Sequence, residues 1–329
     1  MIINQINNQT KSKQPANVKK VRMAKMLKML KEQKYLHMMV LPAILFMIVF
    51  SYIPMLGLQI AFKDYMFNKG IWFSPYVGLK HFMDFFTDPN ITPVLVNTLG
   101  MSLLKVFFVF PVPIILALML NEIGNIKFKR ITQTVSYFPY FISWVVISLM
   151  CQTWLAPNGF VNDILVALGI FDEGYLFLGK PEAFWLIALF LEIWKNAGWG
   201  SIIYLAAMAG VDQEMYEAAE IDGANRFDKI IKITLPVISG TIMIMFILNI
   251  GSMLSGGLYG SNFQVSYLLG NPLNQPRSEI LDTYILKVGI SLGRYSYATA
   301  VGILSSLVSF ILLITANTIS RKSGGESFF

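Results

Sequence analysis

Charge is scarce in this chain of 329 residues, with only 14% of positions Asp, Glu, Lys or Arg, against about 25% in a soluble globular domain. The shortage excludes an ordinary cytosolic enzyme and a disordered chain. With a mean hydropathy of +0.58, the sequence pI near 9.3 does not describe the basic surface of a nucleic-acid binder. Cysteine occurs once, as Cys151, which excludes an intrachain disulfide framework and a cysteine metal cluster. The two histidines, His37 and His81, lie too far apart for a local ligand pair. No G-x-x-x-x-G-K-[ST] phosphate loop is present, so the chain cannot hydrolyse ATP by itself. No nucleophile and base stand in a recognisable arrangement, and neither a catalytic residue nor a metal ligand is assigned. The absence of an internal repeat gives no support to the inverted-repeat architecture of many secondary transporters.

What the chain has instead is apolar length, 55% of its positions being hydrophobic. Backbone polar groups inside a bilayer must be satisfied within their own segment, so charge-poor stretches of about 20 residues read as spanning helices. The pattern predicts an all-α membrane protein with six such helices, over 38–62, 94–120, 131–155, 183–208, 233–254 and 295–320. Pro54 marks a kink in the first, and Pro111 and Pro113 bend the second. The apolar run that begins at 131 is stopped near Leu155 by the turn signal Pro157-Asn158-Gly159, and Ser255-Gly256-Gly257 ends the fifth helix near Leu254.

Lysine and arginine fall unevenly about these spans, seventeen on one side and seven on the other. The richer side holds the N-terminal segment, the loops 127–130 and 226–232, and Arg321 with Lys322. Cytoplasmic loops are enriched in these residues, so both termini are expected in the cytoplasm, the second as a short tail over 321–329. Residues 1–34 are too long and too basic for a secretory signal and are expected to stay on the mature chain. Within them Met23, Met26, Leu27 and Leu30 recur at helical spacing among lysines. That pattern fits an amphipathic helix on anionic membrane lipid and, equally, a disordered basic tail that only enforces topology.

The segment between the fourth and fifth spans, VDQEMYEAAEIDGANRFDKIIKITLP over 211–236, is read as two short helices. Asp212 caps the first, Gly223 is the left-handed residue that ends it, and Asn225 with Asp228 forms a capping box for the second. Pro236 is tolerated if a new helix begins there. Ala218 and Ala219 allow a partner surface to approach closely, while Glu214, Glu217 and Glu220 offer anionic contacts.

Glu217-Ala218-Ala219, Gly223, Ile233 and Leu235-Pro236, at this spacing, resemble the EAA signature of the membrane subunits of bacterial binding-protein-dependent ABC importers. The run Trp194-Lys195-Asn196-Ala197-Gly198-Trp199-Gly200 and the pair Asp282-Thr283-Tyr284 and Tyr295-Ser296-Tyr297-Ala298 extend the resemblance to the carbohydrate-uptake branch, the LplB-like permeases, over 35–320. The resemblance implies a type I importer (MetI-like) transmembrane domain in the bacterial cytoplasmic membrane. It also implies that 212–232 is a coupling helix seated in a groove of an ATP-binding subunit, with Glu217, Ala218, Ala219, Asp222, Gly223 and Arg226 in that role. The partners it implies are a second homologous permease, two ATP-binding subunits that hold ATP and Mg, and an extracytoplasmic sugar-binding protein. No cofactor is then bound by this chain, and the cargo is an oligosaccharide or polysaccharide fragment.

Glu192 and Lys195, three apart in the fourth span, are expected to face each other. Two readings stand for them: they line the pathway, or they are a self-neutralised pair that packs this helix against a partner. Lys105 in the second span has no local acid and is expected to face protein or a wet cavity. Used together as an ion relay, the three would instead describe a self-contained ion-coupled secondary transporter. Aromatic faces and amides suited to sugar passage are offered by Tyr137, Tyr140, Trp144, Trp194, Asn196, Trp199, Asn249 and Ser252.

Overall fold

The computed structural model describes residues 33–255, 257–259 and 262–322. The segment with Met23, Met26, Leu27 and Leu30 and the tail beyond Lys322 lie outside the described residues. The chain divides into two units between Gln59 and Ile60. The first contains most of α1 (Lys34–Phe62), which has no buried residue up to Gln59.

The second unit is built from α2 (Lys80–Thr87), α3 (Ile91–Asn121), α4 (Ile126–Phe141), α5 (Trp144–Trp154), α6 (Phe160–Ala167) and α7 (Pro181–Met208), followed by α8 (Gln213–Ile221) and α9 (Arg226–Gly251). After these come α10 (Asn262–Leu269), α11 (Gln275–Ser278), α12 (Leu281–Leu286) and α13 (Tyr295–Lys322). Strands are absent among the described residues apart from a single antiparallel bridge, Lys63 to Tyr76. By length and apolarity α1, α3, α9 and α13 each suffice to cross a bilayer, and α4 with α5 makes a fifth crossing if the bent pair is one span. The remaining expected span lies in α7, whose 28 residues would extend about 42 Å. It falls outside that apolar group because Glu192, Lys195 and Asn196 are buried in its middle.

Prolines shape these helices by a repeated device. A π-helical turn occupies Ile48–Tyr52, Lys105–Val109 and Ile230–Thr234, and in each case a proline, Pro54, Pro111 or Pro236, follows two residues later. The residue before each proline donates its N–H to the carbonyl five back: Ile53 to Ile48, Phe110 to Lys105 and Leu235 to Ile230. Widening the turn there takes up the clash that a proline ring makes with the preceding turn. The helices are thus continuous through Pro54 and Pro111, and the widened turns are the local distortion at those two positions. Pro236 likewise starts no new helix, since the turn Arg226–Lys229 continues into α9.

The third expected span is not continuous. Between α4 and α5 the axis turns by 91°: Pro139 stands in the last turn of α4, Ile142 is extended, and Ser143 caps α5 by accepting from the Val146 N–H. A break leaves carbonyls without intrahelical partners, a costly situation at membrane depth. Lys195 of α7 fills that need. Its ammonium donates to the carbonyls of Pro139 (3.4 Å), Tyr140 (2.8 Å) and Ile142. One turn along α7, Gly198 permits the approach, because a Cβ there would sit 1.9 Å from the Ser136 carbonyl oxygen.

Three apolar clusters hold the unit together. Met101, Ile147, Phe184, Leu191, Val265 and Ile280 join α3, α5, α7 and α10. Val94, Leu281, Tyr284, Tyr297 and Val301 join α3, α12 and α13. Ala117, Tyr204, Met208 and Ile238 join α3, α7 and α9. At the entry to α3, Asp88 ties this framework together, accepting from the hydroxyls of Tyr284 (2.5 Å) and Tyr297 (2.8 Å). Burial raises the Asp88 carboxyl, but the hydrogen bonds from Tyr284, Asn90 and Tyr297 outweigh it and hold the group below the usual carboxylate value. Burial and then the Asp88 hydrogen bond push Tyr284 up to about 12, so it stays a donor at neutral pH.

Two consequences can be measured by thermal unfolding in detergent. Lys195→Met orphans the carbonyls at the break and should cost about 1–3 kcal/mol, whereas Lys195→Arg should recover most of it; Gly198→Val should be worse than either because backbone must move. Asp88→Leu should lower the melting temperature more than Tyr284→Phe, since it leaves two buried hydroxyls without their acceptor. A folded-state value depressed at Asp88 means that its contribution is present near neutrality and is lost as pH falls through the folded-state value.

Candidate functional site

Two places carry chemistry beyond packing. The first is α8. Asp212 caps it by accepting from the Glu214 N–H at 3.0 Å, and Gly223, with φ +77°, terminates it in the left-handed conformation that glycine adopts without strain. Asn225 and Asp228 form the expected reciprocal capping box at the start of α9. Glu217, Ala218, Asp222, Gly223 and Arg226 are exposed and Ala219 is half-buried, so one face of α8 is open for contact. Glu220 is less free than expected, because Lys229 bridges to it at 3.2 Å. Lys232 donates to Asp228 at 2.7 Å, and this bond, with the Asn225 N–H, holds the Asp228 carboxyl below its ordinary value. A hydrogen bond of 2.9 Å joins Tyr216 of α8 to Thr234 in the π turn of α9. The short helix is therefore fastened to the long one at two points.

The second place is the middle of α7. Glu192 does not pair with Lys195 as its spacing suggested. Its Oε1 accepts from Lys105 of α3 at 2.9 Å and its Oε2 from Asn196 at 2.8 Å. The correction has a steric cause: the break between α4 and α5 offers Lys195 several carbonyls, while Lys105, at the start of a π turn, faces α7. Glu192 and Lys105 are 0% and 6% exposed. Removing both from water costs several kcal/mol per ion, recovered only when geometry and neighbouring hydrogen bonds are favourable. Asn249 flanks the pair across a cavity of about 20 Å³ that Tyr204 also lines, and its side-chain oxygen accepts the Leu258 N–H at 3.2 Å.

The aromatic candidates separate into distinct environments. Tyr140 stacks on Trp199 with ring centres 4.4 Å apart and planes 3° off parallel. Lys195 lies 5.5 Å from the Tyr140 ring centre and 5.6 Å from that of Trp144, within cation–π range. Trp194 is elsewhere, lining an apolar cavity of about 590 Å³ with Cys151, Trp154 and Phe190. Tyr137 is held through its hydroxyl by Ser201, and Ser252 donates to the Leu248 carbonyl at 2.7 Å at the end of α9. The structure thus assembles Tyr140, Trp144, Lys195 and Trp199 around the broken span, and commits Asn196 and Asn249 to internal bonds. Ser143 and the freed carbonyls beside it escaped the sequence reading, although Pro139 inside an apolar run followed by Ser143 is the signal that would have found them.

The chain matches the family described as the binding-protein-dependent transport system inner membrane component over residues 109–323. It is 43% identical to protein LplB of Bacillus subtilis over 301 residues, 91% of this chain and 92% of that protein. To the polygalacturonan/rhamnogalacturonan transport system permease protein YteP of the same organism it is 42% identical over 312 residues, 94% of this chain and 95% of YteP. A chain from the crystal structure of a bacterial ABC transporter involved in the import of the acidic polysaccharide alginate superposes with a TM-score of 0.82 at 36% identity, covering 91% of this chain and 99% of that one. A related crystal structure, of a bacterial alginate ABC transporter in complex with alginate pentasaccharide-bound periplasmic protein, gives 0.81 at 36% identity, covering 90% and 96%. With its apolar helices and the exposed, doubly capped α8, this chain belongs to the binding-protein-dependent inner membrane component family and is a multi-pass permease subunit of a carbohydrate-importing ABC transporter.

Proposed function

We propose that this permease carries oligosaccharides or polysaccharide fragments, and that α8 is the element through which partner ATPases drive it. The observation that carries the reading is α8 itself: a capped helix, fastened to α9, that presents Glu217, Ala218 and Ala219 and ends in Gly223. ATP and Mg are held by two ATP-binding subunits. A second homologous permease completes the pathway, and an extracytoplasmic sugar-binding protein delivers the cargo; the similar alginate transporter is in complex with a periplasmic protein bound to an alginate pentasaccharide. Both termini lie in the cytoplasm, on the side of α8.

The packing supports a transmission route. The bonds from Glu220 and Tyr216 to Lys229 and Thr234 make α8 and the first turns of α9 one rigid lever, and α9 packs along α13 and against α7. Closure of the ATPase pair pulls on α8, and the lever turns α9 as a rigid body. The two permeases then exchange an inward-open for an outward-open cavity. An ion relay through Lys105, Glu192 and Lys195 has less support, because Glu192 is bonded through both oxygens and Lys195 is spent on backbone carbonyls.

Glu217→Lys, which reverses a charge on the docking face, and Gly223→Pro, which cannot adopt a positive φ, should each abolish uptake of labelled oligosaccharide while leaving the amount of chain in the membrane unchanged. Normal uptake by either variant would overturn the coupling role. Transport in whole cells should stop on ATP depletion and persist through dissipation of the proton gradient while ATP is maintained; the reverse pattern would identify an ion-coupled carrier.

A further inference from the structure

The π turn Lys287–Ser291 differs from the other three, because no proline follows it. Leu292 donates to the Lys287 carbonyl at 3.1 Å and Arg294 to the Val288 carbonyl at 3.0 Å, and Gly293, with φ +67°, closes the helix there, so this widened turn is the C-terminal end of α12. Lys287 also lines a cavity of about 390 Å³ bounded by α10, α11, α12 and the turn itself, at the end of α7 remote from α8. That volume is within the range of about 300–1,000 Å³ typical of small-molecule sites.

The lining mixes apolar side chains, Pro272, Leu286 and Ile290, with polar ones held in place by hydrogen bonds. Glu279 is held between two donors, Gln275 at 2.9 Å and Lys287 at 2.7 Å, and its side chain is 16% exposed against 47% for Lys287. Tyr267, 58% exposed, stacks on Phe263 with ring centres 5.3 Å apart and planes 12° off parallel. The backbone that carries these groups is pinned from below. Asn97, buried in α3, donates to the carbonyls of Pro276 and Glu279, both at 3.0 Å, and Asn271 and Asn274 both donate to the Leu178 carbonyl at 2.8 Å. A site supported in this way is preorganised.

We propose that this cavity binds one uncharged sugar ring, with Tyr267 as the platform for its C–H face and Gln275, Glu279 and Lys287 as partners of its hydroxyls. The proposal rests on the carbohydrate-import reading above and adds a contact site to it, separate from α8 and from the Tyr140–Trp199 stack. A hydroxyl donates and accepts at once, which suits a mixed set of amide, carboxylate and ammonium. An anionic sugar would meet the Glu279 carboxylate, and Lys287 is already neutralised by it.

The test is saturation-transfer NMR on the full-length chain in lipid nanodiscs, using the methyl pyranosides of glucose, galactose, mannose and rhamnose and, as the charged comparator, galacturonic acid. At least one neutral glycoside should receive saturation on its ring protons. Tyr267→Ala should weaken that binding about tenfold, and Tyr267→Phe should retain it; Tyr267 is exposed, so neither variant removes core packing. The proposal is overturned if no neutral glycoside binds, if Tyr267→Ala binds as well as the parent, or if galacturonic acid is preferred. Glu217→Lys, assayed in parallel, should bind the glycosides unchanged. Loss of glycoside binding in the parent chain would sink this site and leave the coupling role standing, whereas intact uptake by Glu217→Lys would sink the coupling role and leave this site standing.

Discussion

A carbonyl oxygen at membrane depth has no water to bond, and that constraint decides where this chain places its buried charges. The span formed by α4 and α5 is broken by 91°, which leaves the carbonyls of Tyr140 and Ile142 open, beside that of Pro139, which already accepts the Ile142 N–H. Lys195 is the partner supplied to them. Once Lys195 is engaged there, Glu192 requires another cation, and Lys105 reaches it from α3. One backbone interruption therefore organises the centre of the unit, binding α7 to α4 through a lysine and to α3 through an ion pair. Gly198 makes the first of these contacts possible by bringing backbone against backbone.

The same constraint explains how prolines are tolerated. Within a spanning helix a proline removes a donor and crowds the preceding turn. Here the helix widens just before Pro54, Pro111 and Pro236, and the N–H of the residue before each still finds a carbonyl. Continuity follows. The helix that starts beside α8 at Arg226 runs without interruption to Gly251, as the proposed lever requires. Thr234, which is hydrogen-bonded to Tyr216, lies in the widened turn.

The polar cavity beside Lys287 shows the other use of a widened turn. There the turn ends α12 at Gly293, and Lys287 at its start lies on the wall of a cavity where it and Gln275 both donate to Glu279. The apolar cavity beside Trp194 and Cys151 offers no such partners. The apolar volume lies among α5, α6 and α7 and the other among α10, α11 and α12, and only the second offers partners to a hydroxylated ring.

Much of this was legible from local signals. Asp212, Gly223, Asn225 and Asp228 stand at spacings that specify caps and a left-handed termination by local geometry alone, and α8 forms as they require. Apolar run lengths placed the long helices, because burial of backbone in lipid is a demand each segment meets by itself. The partners of Glu192, Lys195 and Lys105 were not legible. At three residues apart Glu192 and Lys195 are neighbours on one helix face, and nothing local opposes their pairing; the competing partners, a broken turn some fifty residues away and a lysine 87 residues distant, are brought near only by packing. Gln275 and Glu279, four apart, meet locally, but their grouping with Tyr267 and Lys287 on other elements is again a product of packing. The sequence by itself determined the helices, their caps and the capped segment α8, since those depend on neighbours along the chain. Tertiary structure alone decided which buried charge meets which carbonyl or carboxylate, because that choice is set by distances between helices.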